Sequence, residues 1–273
     1  MKQRQLVLPG PVVKKSNALA RASWSVRSVY EPRIVALVAS KVDPSDQDFQ
    51  DYEIPIAEIL GDFDCGRSYK LLSEAVEGLL GRVLTLPRAN GWAKVGIFSY
   101  CEYDGKEGVI RARFDPSLKD HYLNLKSYFT QYSLYEYLLL PSVYSQRLFE
   151  LLKSWANLPE VEITLSDLRD FLTVPDALQR YPDFRRRVLE KAHKDITGKT
   201  SLYYDWKPIK KGRSVHSILF TFGRTSAPLP PTKKDQNLLF KRAVACYEKT
   251  KGNCKPDERT KLCNLCLRLV YQK

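Results

Sequence analysis

The order of secondary-structure signals in this chain repeats once, and that repeat limits the folds open to it. Ile54-Pro55-Ile56-Ala57-Glu58-Ile59-Leu60 is a short apolar piece ahead of a helix from Ser68 to about Leu80, where Leu71, Leu72, Ala75, Leu79 and Leu80 recur at helical spacing. Trp92 to Tyr103 and Gly108 to Phe114, rich in aromatic and branched residues, then flank the hairpin signal Asp104-Gly105-Lys106-Glu107. About 109 residues later Ile163-Thr164-Leu165-Ser166-Asp167-Leu168 takes the place of the first piece and Pro182 to Ile196 that of the helix. Leu202 to Ile209 and Ser214 to Phe222 then flank Lys210-Lys211-Gly212-Arg213. Two units of nearly equal span read as one module duplicated, and two helices followed by a β-hairpin is a winged-helix pattern. The alternative is two unrelated α+β units. The expected fold is therefore α+β: two tandem winged helices with a short basic, cysteine-containing C-terminal extension.

A duplicated module needs two cores, and a chain of 273 residues, 44% hydrophobic and 11% aromatic, can supply them. Residues 1–16 read as a basic, Pro-containing tail. Residues 17–140 form the first winged-helix domain, with a helical stretch from Asn17 to Val38 broken at Pro32, a polar loop from Asp43 to Asp51, and a closing helix from Tyr128 to Leu139. Residues 141–225 form the second, led by a helix from Tyr144 to Trp155. Residues 226–273 comprise the stiff linker Ser226-Ala227-Pro228-Leu229-Pro230-Pro231 and a basic tail. No run approaches ~18 uninterrupted apolar residues and no apolar signal core follows Met1-Lys2-Gln3-Arg4, so a cytoplasmic protein without a membrane partner is expected.

Charge separates the two halves. Of a net +13, residues 1–141 carry 18 basic and 17 acidic groups, and residues 142–273 carry 26 and 14. Such asymmetry points to an anionic partner, nucleic acid ahead of membrane. The densest stretch, residues 180–224, holds 12 basic groups against 4 acidic ones. Within its helix Phe184, Val188, Leu189, Ala192 and Ile196 define a buried stripe, while Arg186, Arg187, Glu190 and Lys194 point away and Arg185 lies near the border. Lys191 and Lys199 add cations to the same helix. Arginines early on a recognition helix suit a DNA groove, where the guanidinium binds guanine O6 and N7 bidentately. Lys207, Lys210, Lys211 and Arg213 at the hairpin tip are placed to meet flanking phosphates. The corresponding first-module helix exposes Lys70, Glu74, Glu77 and Arg82, and its hairpin tip carries Asp104 and Glu107, which suits protein contacts or weak backbone contact. A merely solvated charged face is the plainer reading of any single charge run.

These residues carry a resemblance. Tyr181-Pro182-Asp183-Phe184-Arg185-Arg186-Arg187, Lys210-Lys211-Gly212-Arg213 and Ile218-Leu219-Phe220-Thr221-Phe222 together resemble the second winged-helix domain of the iteron-binding plasmid replication initiators, the RepB-type Rep family of theta-replicating plasmids. Tyr144 to Leu152 resembles the segment leading into that domain and Ser16-Asn17-Ala18-Leu19 the family's start, so the resemblance spans about residues 12 to 225. It implies a second domain that binds direct-repeat iterons in double-stranded origin DNA and a first that supports dimerisation. Monomers would initiate replication, and dimers would repress the protein's own gene at an operator. It also implies host partners, such as DnaA and the replicative helicase. Carried over, base readout falls on Arg185, Arg186 and Arg187, and backbone contact on Lys194, Lys210, Lys211 and Arg213. A winged-helix transcriptional regulator without an initiator role is the alternative.

Catalysis is not expected. Thr197-Gly198-Lys199-Thr200 resembles the end of a phosphate-binding loop, but His193 stands where that loop needs glycine. His121, His193 and His216 form no His-x-His pair of the kind that holds the metal of a DNA-nicking tyrosine. No cofactor is required by this reading. Cys263-Asn264-Leu265-Cys266 has the spacing for two thiolates on one tetrahedral zinc, and Cys246 and Cys254 could complete a structural site. An iron–sulfur cluster takes the same ligands, and free buried cysteines are the alternative.

Overall fold

A computed structural model describes residues 11–43, 45–60, 67–88 and 90–223. The chain begins with strand β1 (Val12–Ser16), whose side chains alternate toward the core, and Ser16 caps the short helix α1 (Asn17–Ala20) by accepting from the Leu19 N–H at 3.1 Å. Residues 12–16, expected as part of a tail, are therefore a strand of the fold. Lys14 and Lys15 disguised the strand, because Lys15 is buried and its charge is met within the fold. Helix α2 (Tyr30–Ala39) runs through Pro32, which lies in its first turn, where a missing N–H breaks no intrahelical bond. The helical stretch is interrupted earlier, between α1 and α2.

The first module consists of strand β2 (Tyr52–Pro55), helices α3 (Ile56–Leu60) and α4 (Arg67–Leu80), and strands β5 (Phe98–Asp104) and β6 (Val109–Phe114), with strand order β2-β6-β5. Between α4 and β5 lies an extra hairpin, β3 (Val83–Arg88) with β4 (Gly91–Gly96), turned at Gly91, whose φ of 125° only glycine adopts readily. Trp92 to Tyr103 is thus two strands rather than one. Leu71 and Leu80, expected on the buried stripe of α4, are exposed, whereas Leu72, Ala75 and Leu79 are buried. After the short helix α5 (Lys119–Tyr122), strand β7 (Phe129–Ser133) pairs antiparallel with β1, and only then does helix α6 (Leu134–Leu138) begin. The period-two burial of Thr130 and Tyr132 corrects the single helix expected from Tyr128 to Leu139.

The second module repeats the topology. Strand β8 (Glu160–Thr164) leads into helix α8 (Leu165–Leu172), capped by the Thr164 hydroxyl and closed by Thr173 at φ 48°. A long helical run follows: α9 (Tyr181–Phe184), a π-helical turn (Arg185–Leu189) and α10 (Glu190–Lys199). Strands β9 (Tyr204–Lys211) and β10 (Ser214–Phe222) form the wing, and the strand order β8-β10-β9 places first, last and middle strands as in the first module. The expected duplication therefore appears in the pairing order itself, with β3–β4 as the insertion that distinguishes the copies.

Helix α7 (Val143–Lys153) joins the two. Ser142 caps it, and Leu148, Phe149, Leu151 and Leu152 enter the core. Its polar residues are buried too. Glu150 accepts from Lys15 of β1, from the Tyr132 hydroxyl of β7, and from Arg147 at 3.0 Å, while Arg147 also donates to the Ala22 carbonyl at 2.6 Å. The Arg147 guanidinium packs over Trp24 and over Phe171 of α8, 4.4 Å from the latter ring. Burial alone would raise the Glu150 carboxyl, but Lys15 and Arg147 outweigh it and hold the group below the ordinary carboxylate range. A depressed carboxyl stabilises the fold above its unfolded-state pKa, and this contribution is lost as pH falls through the folded value. Glu150→Gln should lower unfolding free energy by about 3–5 kcal/mol at neutral pH, since it strands two buried cations. Urea titrations at pH 7 and pH 4 should show the gap from wild type narrowing on acidification.

Candidate nucleic-acid interface

The long helical run of the second module separates its residues sharply. Phe184, Val188, Leu189, Ala192 and Ile196 are at most 1% exposed, whereas Arg185, Arg186, Arg187, Glu190, Lys191 and Lys194 all face solvent. Pro182 lies in the first turn, and Asp183 adds a negative charge to the N-terminal end of the dipole. In the π turn the Glu190 N–H donates to the Arg185 carbonyl, an i to i+5 bond that stacks Glu190 over Arg185. The two side chains meet accordingly, Arg185 Nε lying 2.8 Å from Glu190 Oε1. The Arg185 guanidinium also sits 5.9 Å from the Trp206 ring at the base of the wing. Arg186 makes a longer pair with Asp183 at 3.4 Å, and Arg187 has no carboxylate partner among the described residues.

The wing is anchored from behind by Tyr204, Ile218 and Phe220, all fully buried. Lys211 pairs with Ser214 across the two-residue loop Gly212-Arg213, where Gly212 has φ 65° and Arg213 does not, a turn that requires glycine at its first position. Lys207, Lys210, Lys211 and Arg213 are exposed, and none has a carboxylate partner among the described residues. A basic helix face and a basic hairpin thus share one small domain, with Arg185 over Trp206 joining them.

The family model described as Initiator Replication protein, WH1, matches residues 12–153, and that described as Initiator Rep protein, WH2, matches residues 164–222. The chain belongs to the initiator Rep protein family. Among solved structures, the Pi initiator protein in complex with iteron DNA matches with a TM-score of 0.63 at 19% identity, over 79% of this chain and 98% of that one. Domains 2 and 3 of RctB match with a TM-score of 0.44 at 12% identity, over 82% of this chain and 95% of that one. The two family descriptions fall on the two winged helices in the order of the repeat.

The first winged helix of this initiator Rep chain has the same topology and opposite electrostatics. Arg111 on β6 is surrounded by Glu53, Glu102, Asp104 and Glu107, and Arg113 pairs with Asp51 at 2.7 Å. Hydrogen bonds donated to these carboxylates raise both guanidinium pKa values, Arg111 through Glu53 and Glu107, and Arg113 through Asp51. Arg82, expected on the exposed face, instead pairs at 2.7 Å with buried Glu31 of α2. Lys70, Glu74 and Glu77 are exposed as expected.

Thr197 to Thr200 closes the end of α10 rather than forming a loop, with the Thr200 hydroxyl donating to the Ile196 carbonyl and Lys199 Nζ to the Leu139 carbonyl. Lys199 thereby belongs to the contact with α6 rather than to the arginine face. His121 hydrogen-bonds Ser16, His193 lies 3.0 Å from the Tyr204 carbonyl oxygen, and His216 is exposed. No group of three or more metal-ligating side chains occurs among the described residues, and Cys246, Cys254, Cys263 and Cys266 lie outside them. Among the described residues no helix is long and apolar enough to cross a membrane. The Arg185–Glu190 contact was missed by periodicity, because a 100° step leaves those residues on different faces; Arg-Arg-Arg between Phe184 and Val188-Leu189 was the available signal. Gly212→Ala should cost about 1–2 kcal/mol through backbone strain alone, since a Cβ there meets nothing within 4 Å. Thermal unfolding should report the loss.

Proposed function

We propose that this initiator Rep protein binds repeated sites in double-stranded origin DNA through its second winged helix, and that it acts by binding rather than by chemistry. The observation that carries this reading is the contrast between the two copies of the fold: the first pairs Arg111 and Arg113 of its wing with carboxylates, and the second leaves Arg187, Lys207, Lys210, Lys211 and Arg213 without carboxylate partners among the described residues. Unpaired cations on a helix and an adjacent wing match a groove and its flanking phosphates. Similarity to the Pi initiator, solved on iteron DNA, supports the same class of site. In this reading Arg186 and Arg187 reach base edges, with Arg185 beside them, while Lys191, Lys194, Lys210, Lys211 and Arg213 hold the backbone.

Dimerisation through the first domain, repression of the protein's own gene and recruitment of host initiator and helicase complete the proposal. Support for them comes from family membership and from a first domain whose wing arginines, Arg111 and Arg113, are already paired with carboxylates. Footprinting on DNA flanking the gene tests the reading. Protection of direct repeats is the expected result, a lone palindrome would favour a transcriptional regulator, and protection without sequence preference would overturn both.

Arg186→Ala should cost about 1–3 kcal/mol on the preferred repeat and little on random duplex. Lys211→Ala should weaken both alike and reduce the slope of log K against log salt by about 1. Fluorescence anisotropy across a salt series on both duplexes distinguishes the two effects.

A further inference from the structure

Glu190 is out of place on a surface suited to a polyanion. It stands on the exposed face of the helix among Arg185, Arg186, Arg187, Lys191 and Lys194, and its side chain is 47% exposed. A carboxylate there repels every phosphate that approaches and weakens binding to all DNA regardless of sequence. Pairing with Arg185 offsets only part of that repulsion, since only Oε1 is engaged, at 2.8 Å from Arg185 Nε, and Oε2 has no partner among the described residues.

The π turn accounts for its position. An ordinary α-helical step would put Val188 and Leu189 over Arg185, whereas the i to i+5 bond brings Glu190 over it, so that the two exposed side chains meet. Arg185 also lies against the Trp206 ring, so the Arg185–Glu190 pair has contacts to helix and wing together. In the major groove a carboxylate accepts from the exocyclic N4 amine of cytosine, a contact that no other base offers in the same place.

We propose that Glu190 is a specificity-determining residue that lowers affinity for duplex DNA in general and offsets this loss where a cytosine amine faces its free oxygen. Arg185 is the positioning residue that fixes its carboxylate. This rests on the assignment of base readout to the same helix.

The full-length protein is used to enrich duplexes from a randomised pool, and wild type, Glu190→Ala, Glu190→Gln and Arg185→Ala are then titrated on the enriched site, on its single-base variants and on random DNA. For Glu190→Ala, binding to random DNA tightens, the ratio of specific to random affinity falls about 10-fold or more, and the preference for cytosine at one base pair disappears. Glu190→Gln keeps an acceptor and retains part of that preference, and Arg185→Ala blurs it while Glu190 remains. An unchanged base preference in Glu190→Ala overturns the proposal alone. So does an equal weakening on all duplexes with a lowered Tm, which would make Glu190 a structural brace. Failure of wild type to enrich any sequence overturns base readout by this helix, and this inference with it.

Discussion

The buried carboxylate of Glu150 is the constraint on which the rest of the structure depends. Three donors from three elements converge on it, and each would be costly to bury alone: an ammonium from β1, a phenol from β7 and a guanidinium from α7. The strand at the start of the described chain is thereby fixed to a helix 135 residues away. Ionic groups in a core rarely add net stability over a well-packed apolar core, but they tolerate few alternative arrangements. Arg147, which satisfies Glu150 and covers Phe171 at once, extends that selectivity from the first winged helix to the second.

The two modules show how much of a binding surface is independent of fold. Strand order, helix order and the position of the wing recur, yet one wing carries Arg111 inside a ring of carboxylates and the other carries Lys210, Lys211 and Arg213 facing only solvent. Partnered cations have little left to offer a phosphate, because binding one means first giving up a carboxylate. Net charge differs between the modules, but the pairing of individual cations differs more, and pairing determines which of them remain available to a ligand.

Much of this was legible in the sequence, for identifiable reasons. The stripe from Phe184 to Ile196 has helical spacing and long reach, and it packs as expected apart from the π turn; the wing follows its Gly-containing loop. Legibility failed where tertiary partners reverse a residue's usual preference. Lys14 and Lys15 read as tail because the carboxylate that lets Lys15 sink lies on a distant helix, and Pro32 reads as a break because its sequence neighbours do not show that it falls in the first turn of α2. Strands β4 and β5 read as one segment, Trp92 to Tyr103, because nothing between them rivals the turn signal at Asp104-Gly105, and β3 carries no signal of its own. For the site, exposure of the arginines was predictable, but the bracing of Arg185 by Glu190 and Trp206 depends on a helical irregularity with no periodic signature.

Sharing α7 also changes what a repeat means in this molecule. Its Ser145 hydroxyl donates to Asp195 of α10 at 2.7 Å, on the helical run that bears the arginines, while Glu150 one turn further on closes the first core. One rod therefore lies under both winged helices. Severing the chain on either side of it would deprive one half of its packing surface or leave it with stranded charges. The two copies of the fold have in this sense lost their independence, and the spacing between them is set by a side-chain lattice rather than by the length of a tether.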